Sequence, residues 1–159
     1  AVPERNVIAL SETVSFESAA ACALVFLTAW YMLVEKAKIR PAEDVLIIGA
    51  GSGVGSAGIQ IAKLHGARVI ATTSSDEKAA KARGLGADDV INYRRQGVFD
   101  EVRRLTEKKG VEVVFDHVGK SVWEESIKSL AKGGRLVTCG ATSGYDAVTD
   151  LRYIFYKQL

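Results

Sequence analysis

The 159 residues include only two cysteines, two histidines, two prolines and one methionine, and each scarcity removes a class of chemistry. Cys22 and Cys139 stand far apart in apolar segments without metal-type spacing, so no disulfide framework is expected and a reducing, cytoplasmic setting is. His65 and His117 are too few and too separate for a metal centre, so this chain is expected to bind no zinc. Charge of one sign is scarce too. The net charge is +2, and Arg103-Arg104 and Lys108-Lys109 alternate with Glu101 and Glu107 as on a solvated helix face. Neither nucleic acid nor a membrane is an expected partner. The longest apolar stretch, residues 19–34, is broken by Thr28 and Tyr31 and falls short of the ~20 residues of a bilayer span, which makes it a core helix. Pro3, Glu4, Arg5 and Asn6 interrupt any apolar opening of signal-peptide type. Without repeats, low-complexity tracts or long linkers, residues 1–159 read as one globular domain.

Glycine, by contrast, is crowded into one place. Val45-Leu46-Ile47-Ile48 has no polar alternation and reads as a strand buried on both faces, as in a parallel sheet flanked by helices. Gly49-Ala50-Gly51-Ser52-Gly53-Val54-Gly55-Ser56-Ala57-Gly58 follows, and Ile59 to Leu64 continues as a helix. Such a turn lets backbone approach a bulky anion and aims the first free N–H groups of the helix at it. The glycine spacing fits three registers: Gly53-x-Gly55-x-x-Gly58, Gly49-x-x-x-Gly53-x-Gly55, or Ala50-x-Ser52-x-x-Gly55. A second strand, Arg68 to Thr73, ends 22 residues past Gly51 and completes the context of a dinucleotide fingerprint, so the turn is predicted to hold a pyrophosphate. The plainer alternative is a glycine-rich surface loop between unrelated elements.

Taken in order, residues 1–14 form an entering extended segment, and Ser15 caps a helix running to about Lys38, stopped by Arg40-Pro41. That helix is apolar on nearly all sides and is expected to be covered on more than one face. Ser74 or Ser75 caps a helix from Asp76 to about Leu85, and Val90 to Tyr93 is a third strand. A helix from Val98 to Lys109 ends at Gly110, and Val111 to Phe115 is a fourth strand. Residues 121–131 form a helix with Trp123, Ile127 and Leu130 on one face. Gly133-Gly134 leads into a fifth strand, Arg135 to Cys139, and the chain closes on a helical stretch from Leu151 to Lys157. This alternation predicts an α/β Rossmann fold, a doubly wound parallel sheet of order 3-2-1-4-5 with the sixth strand of the full fold missing. Four loops, 49–55, 72–78, 116–119 and 139–144, then surround one crevice at the carboxyl ends of the strands. An open edge on the fifth strand predicts either association of identical copies or cover by the final helix.

The tip of the second strand bears on the cofactor. Thr72-Thr73-Ser74 offers no carboxylate before Asp76, so nothing there repels a 2′-phosphate. Ser74 can hydrogen-bond that phosphate, Lys78 lies one turn into the next helix, and Tyr93-Arg94-Arg95 ends the neighbouring strand on the same side. NADP(H) is the expected cofactor, with NAD(H) possible; ordinary surface charge is the alternative reading of these cations.

Several stretches in sequence order carry a family resemblance: Ser15-Phe16-Glu17-Ser18-Ala19-Ala20, Leu27-Thr28-Ala29-Trp30, Gly49 to Gly55 with Gln60-Ile61-Ala62-Lys63, Gly66 to Ala71, Gly86-Ala87-Asp88 with Ile91-Asn92-Tyr93, and Gly133 to Val137. The chain resembles the medium-chain dehydrogenase/reductase superfamily, that of zinc-type alcohol dehydrogenases and quinone oxidoreductases. The resemblance implies a separate catalytic barrel domain outside this chain and hydride transfer to or from a small alcohol, carbonyl, quinone or enone. It also implies pyrophosphate contacts at Ser52, Gly53, Val54 and Gly55, a nicotinamide near Thr28, and ribose and nicotinamide borders at His117, Val118, Gly119, Gly140 and Ala141. Zinc-dependent relatives often carry a cysteine ligand four residues before the threonine matching Thr28, and here that position is Leu24. Leucine cannot bind zinc. No catalytic residue is assigned within this chain. Two other readings compete: a short-chain dehydrogenase using Tyr153-x-x-x-Lys157, and a non-enzymatic dinucleotide-binding module.

Overall fold

The computed structural model describes residues 1–159. Strands β1 (Asp44–Ile47), β2 (Arg68–Thr73), β3 (Asp89–Asn92), β4 (Val111–Asp116) and β5 (Leu130–Thr138) form one sheet. All neighbouring strands run parallel in the order β3-β2-β1-β4-β5, the order predicted from the sequence. The uniformly apolar central strands are explained by two cores. Val45 and Ile47, Val69 and Ala71, and Val113 and Phe115 face one layer; Leu46, Ile70 and Val114 face the other. Helix α2 (Gly53–Leu64) and α3 (Asp76–Gly84) contribute Ile59, Ala62 and Ala82 to the first layer. Helix α4 (Val98–Leu105) and α5 (Trp123–Ser129) contribute Val102 and Ile127 to the second. The two halves of the chain therefore wind onto opposite faces, as right-handed crossovers require. Phe115, fully buried at the centre, gains about 2–3 kcal/mol from that burial.

Helix α1 (Phe16–Trp30) is capped by Ser15, whose Oγ accepts the Ser18 N–H, and continues as a π-helical stretch, Tyr31–Lys36. The combined 21 residues are long and apolar enough to cross a membrane by length and composition, so the argument from a short apolar run does not hold. Packing places the helix instead: Ala29 and Leu33 are wholly buried in the first core layer. The expected cover on a second face is not found among these residues, since Leu24 and Leu27 are 75% and 68% exposed. The sheet layer gives the helix one partner face, and its apolar residues occupy two.

Three boundaries differ from expectation for local reasons. Helix α4 stops at Leu105, not Lys109, because Glu107 and Lys108 adopt left-handed φ values of +52° and +69° while Thr106 Oγ1 donates to the Val102 carbonyl and accepts the Gly110 N–H. Helix α5 ends at Ser129, not residue 131. Strand β5 begins at Leu130, not Arg135: Leu130 pairs with Val111 and Arg135 with Val113, so Gly133-Gly134 lies in a bulge within the strand rather than in a turn before it. A short helix α6 (Leu151–Lys157) closes the chain.

Candidate functional site

The turn between β1 and α2 is built on a few backbone demands. Gly49 has φ +66°, and its N–H donates to Thr72 Oγ1 at 3.0 Å, tying the turn to the tip of β2. A β-carbon on Gly55 would lie 2.5 Å from the Gly49 carbonyl oxygen, and one on Gly58 3.2 Å from the Phe115 ring. The first two are backbone constraints that no side-chain shift relieves. Of the three possible registers, the geometry places its strictest demands on Gly49 and Gly55. Ser52 caps α2, its Oγ accepting the Gly55 N–H at 2.9 Å, and that same Oγ lies 2.9 Å from His117 Nε2. The N–H groups of Gly53 and Val54 remain without protein partners at the helix N-terminus, a ready anion site.

Gly51, Ser52, Thr73, Ser74, Lys78, Tyr93 and His117, all predicted from sequence, line one cavity of about 260 Å³ together with Gly49 and Thr72. No acidic residue lines it. The Lys78 stem lies against Gly51, its Nζ is 3.5 Å from Ser74 Oγ, and it forms no ion pair. Asp76 is held away by Arg95 at 2.9 Å and by Asn92 at 3.1 Å, so Arg95 is engaged outside the cavity. A second cavity of about 400 Å³ adjoins the first at Gly49, Thr72 and Tyr93. Ser121, Glu125 and Ser126 line part of it, and Ile48, Val98, Val118 and Val122 give it apolar walls. Of these only Val118 was named in advance; the others carry no sequence signal beyond apolar residues at a strand tip or helix start. This slot suits a flat heterocycle.

The 116–119 and 139–144 loops come together as expected. The Thr142 hydroxyl donates to the His117 carbonyl at 3.4 Å and the Ser143 N–H to the Val118 carbonyl at 2.8 Å; Gly140 is so close to His117 that a β-carbon would lie 2.8 Å from its carbonyl oxygen. Ala141 packs on Gly119. Buried Asp116 accepts the Val118 and Gly119 N–H groups and so fixes this loop. Partial burial and the Asp116 carboxylate hold the Cys139 thiol above the ordinary cysteine range, so it is protonated at neutral pH. Thr28 stands apart on α1, its hydroxyl donating to the Leu24 carbonyl at 2.8 Å, and lines neither cavity. No three His, Cys, Asp or Glu side chains cluster as a metal-ligand set.

The pair Tyr153 and Lys157 is not in this crevice. Lys157 Nζ donates to the carbonyls of Lys128 at 2.6 Å and Leu130 at 2.7 Å, at the amino end of the sheet, and burial lowers its pKa. A tyrosine-lysine pair at the far end of the strands cannot meet a cofactor at the carboxyl ends, so the short-chain arrangement is not formed.

The family model described as zinc-binding dehydrogenase matches residues 53–159. The chain is 42% identical over 135 residues to the quinone oxidoreductase of Salmonella typhimurium strain LT2, covering 85% of this chain and 41% of that protein. Among solved structures, an NAD-dependent alcohol dehydrogenase superposes with TM-score 0.94 at 50% identity, over 99% of this chain and 46% of its own. The Escherichia coli quinone oxidoreductase complexed with NADPH gives TM-score 0.85 at 38% identity, over 93% and 45%. The chain thus spans less than half the length of these relatives. With its strand order, its glycine turn and these matches in agreement, the chain belongs to the zinc-binding dehydrogenase family within the medium-chain dehydrogenase/reductase superfamily, close to the quinone oxidoreductases.

Proposed function

We propose that this chain is the cofactor-binding part of an NADP(H)-preferring oxidoreductase acting on a quinone, enone, carbonyl or alcohol. The observation that carries the reading is Lys78, an unpaired cation 3.5 Å from Ser74 Oγ in the smaller cavity, which no acid lines. A 2′-phosphate there would gain a charge-assisted contact and a hydroxyl donor, whereas NAD(H) presents neither group with a charge. Ser52, Gly53 and Val54 would hold the pyrophosphate, and Ile48, Val98, Val118 and Val122 would enclose the adenine. Bound nicotinamide would supply the hydride chemistry; the chain binds it, orients it and excludes water. Leu24, in the place where zinc-type relatives often carry a cysteine, favours a conjugated acceptor that needs less electrophilic help. A catalytic domain beyond these residues would contribute the substrate site. Calorimetric titration tests the preference: NADPH should bind roughly tenfold tighter than NADH, and Lys78→Ala should abolish the difference while leaving NADH unchanged. Equal or tighter binding of NADH by the unaltered chain overturns it.

A further inference from the structure

The amino end of the sheet carries a second concavity, of about 600 Å³, that no part of the dinucleotide reading uses. Six cations line it, and they arrive from five segments. Arg103 comes from α4, Lys108 and Lys109 from the turn before β4, Lys128 from the last turn of α5, Lys132 from the β5 bulge and Lys157 from α6. Phe99, Tyr153 and Tyr156 add aromatic walls, and no acidic residue lines the groove. The whole chain has a net charge of only +2, so gathering six positive charges here leaves the rest of the surface net negative.

Three of these six cations have polar partners and three do not. Lys128 pairs with Glu124 at 2.6 Å, and Lys109 stands at 3.9 Å from Glu107 with both side chains exposed. The Lys157 ammonium is engaged by the carbonyls at the end of α5, which fixes α6 as one wall. Arg103 lies 5.5 Å from the Phe99 ring centre, and neither it nor Lys108 nor Lys132 forms an ion pair. Glu101 is bonded at 2.8 Å to Arg104, three residues on along α4, and Arg103, only two residues from Glu101, does not share that face. Uncompensated cations around a concave wall focus positive potential into it.

We propose that this groove binds a small polyanion of the polyphosphate class, up to the size of a nucleotide, at a site separate from the dinucleotide crevice. An arginine fork and lysine point charges match phosphoryl oxygens, and the aromatic walls can take a ring. The volume falls within the range of small-molecule sites, about 300–1,000 Å³. A bounded concavity does not provide the long cationic track that single-stranded nucleic acid follows.

The test is a titration of the isotopically labelled protein with inorganic tripolyphosphate at about 150 mM NaCl, read by amide chemical shifts. Residue resolution separates this groove from the glycine turn, so the result does not depend on which dinucleotide the crevice takes. Saturable shifts should be found at residues 108–110, 128–132 and 153–157, with half-saturation at or below about 1 mM. The double variant Lys108→Gln, Lys132→Gln, both at exposed positions, should bind roughly tenfold more weakly with an unchanged melting temperature. Shifts that grow linearly, that spread over all surface lysines or that persist unchanged in the double variant overturn the proposal. So does inert tripolyphosphate alongside saturable binding of an RNA or an acidic peptide.

Discussion

The two ends of the same parallel sheet present positive charge by different means. At the carboxyl ends, charge comes from backbone: free N–H groups at the start of α2, a cap on Ser52, and a single lysine at the side. At the amino ends it comes from six side chains on five segments. Backbone donors are rigid and aimed in advance, so they cost little ordering on binding, but they tolerate almost no change in the turn that presents them. Flexible lysines tolerate substitution and are screened by salt. Glycines that leave no room for a β-carbon occur at both ends, Gly55 at one and Gly110 at the other, so what separates the ends is whether backbone or side chains supply the charge.

The largest expected effect tests the backbone turn. Gly55→Ala places a β-carbon 2.5 Å from the Gly49 oxygen and 2.9 Å from Ala50 Cα, both backbone atoms. It should cost about 3 kcal/mol and lower the melting temperature by roughly 10 °C, with dinucleotide affinity lost in parallel. At the other end Gly133→Ala meets nothing within 4 Å and should cost only about 1 kcal/mol, for its φ of +73°. Similar losses at the two positions, in thermal melts, would erase the contrast.

Salt should separate the ends next. Raising NaCl from about 0.05 M to about 0.5 M should weaken tripolyphosphate at the amino end by more than tenfold, and NADPH at the crevice by several-fold less, because exposed lysines are screened more than partly buried backbone donors. Equal salt slopes in paired titrations would mean that both ends rely on exposed charge.

The smallest effect concerns Asp44, at the amino end of β1. Burial pushes its carboxyl pKa above the ordinary aspartate value, with Arg68 only partly opposing this. A folded pKa above the unfolded one gives a contribution that is fully present below the unfolded value and is lost as pH rises through the folded value. Asp44→Asn should therefore be equal to the unaltered chain or more stable by about 0.5 kcal/mol or less at pH 7, the gain vanishing by about pH 3. Arg68 keeps its 2.8 Å pair with Asp89. Urea melts at the two pH values decide; a variant destabilised at pH 7 would mean that the Arg68 contact outweighs burial.

Much of the crevice was legible because its parts are local. The glycine turn, the Ser52 cap and the strand tip at Thr73 and Ser74 are set by residues adjacent in sequence, and the strand order follows from alternation and handedness. The apolar slot was not legible, since Ile48, Val98 and Val122 look like any other core residues until β1, α4 and the start of α5 meet. The Ser52–His117 contact joins residues 65 apart in sequence and has no local signature. Glycines 133 and 134 misled for the opposite reason: a glycine pair signals a turn, and only the pairing of Leu130 with Val111 reveals a bulge inside a strand.

By itself, the amino-acid sequence determined the sheet, its order, and a capped glycine turn with free backbone N–H groups, because apolar runs, glycines and caps act through their near neighbours. Tertiary structure alone decided how charge is distributed. Arg103, Lys108 and Lys109 alternate with acids along the chain and look neutralised there, yet Arg103 and Lys108 form no ion pair and the fold brings Lys128, Lys132 and Lys157 to the same groove. Coulomb energy depends on distance in space, and sequence spacing fixes that distance only within a helix turn.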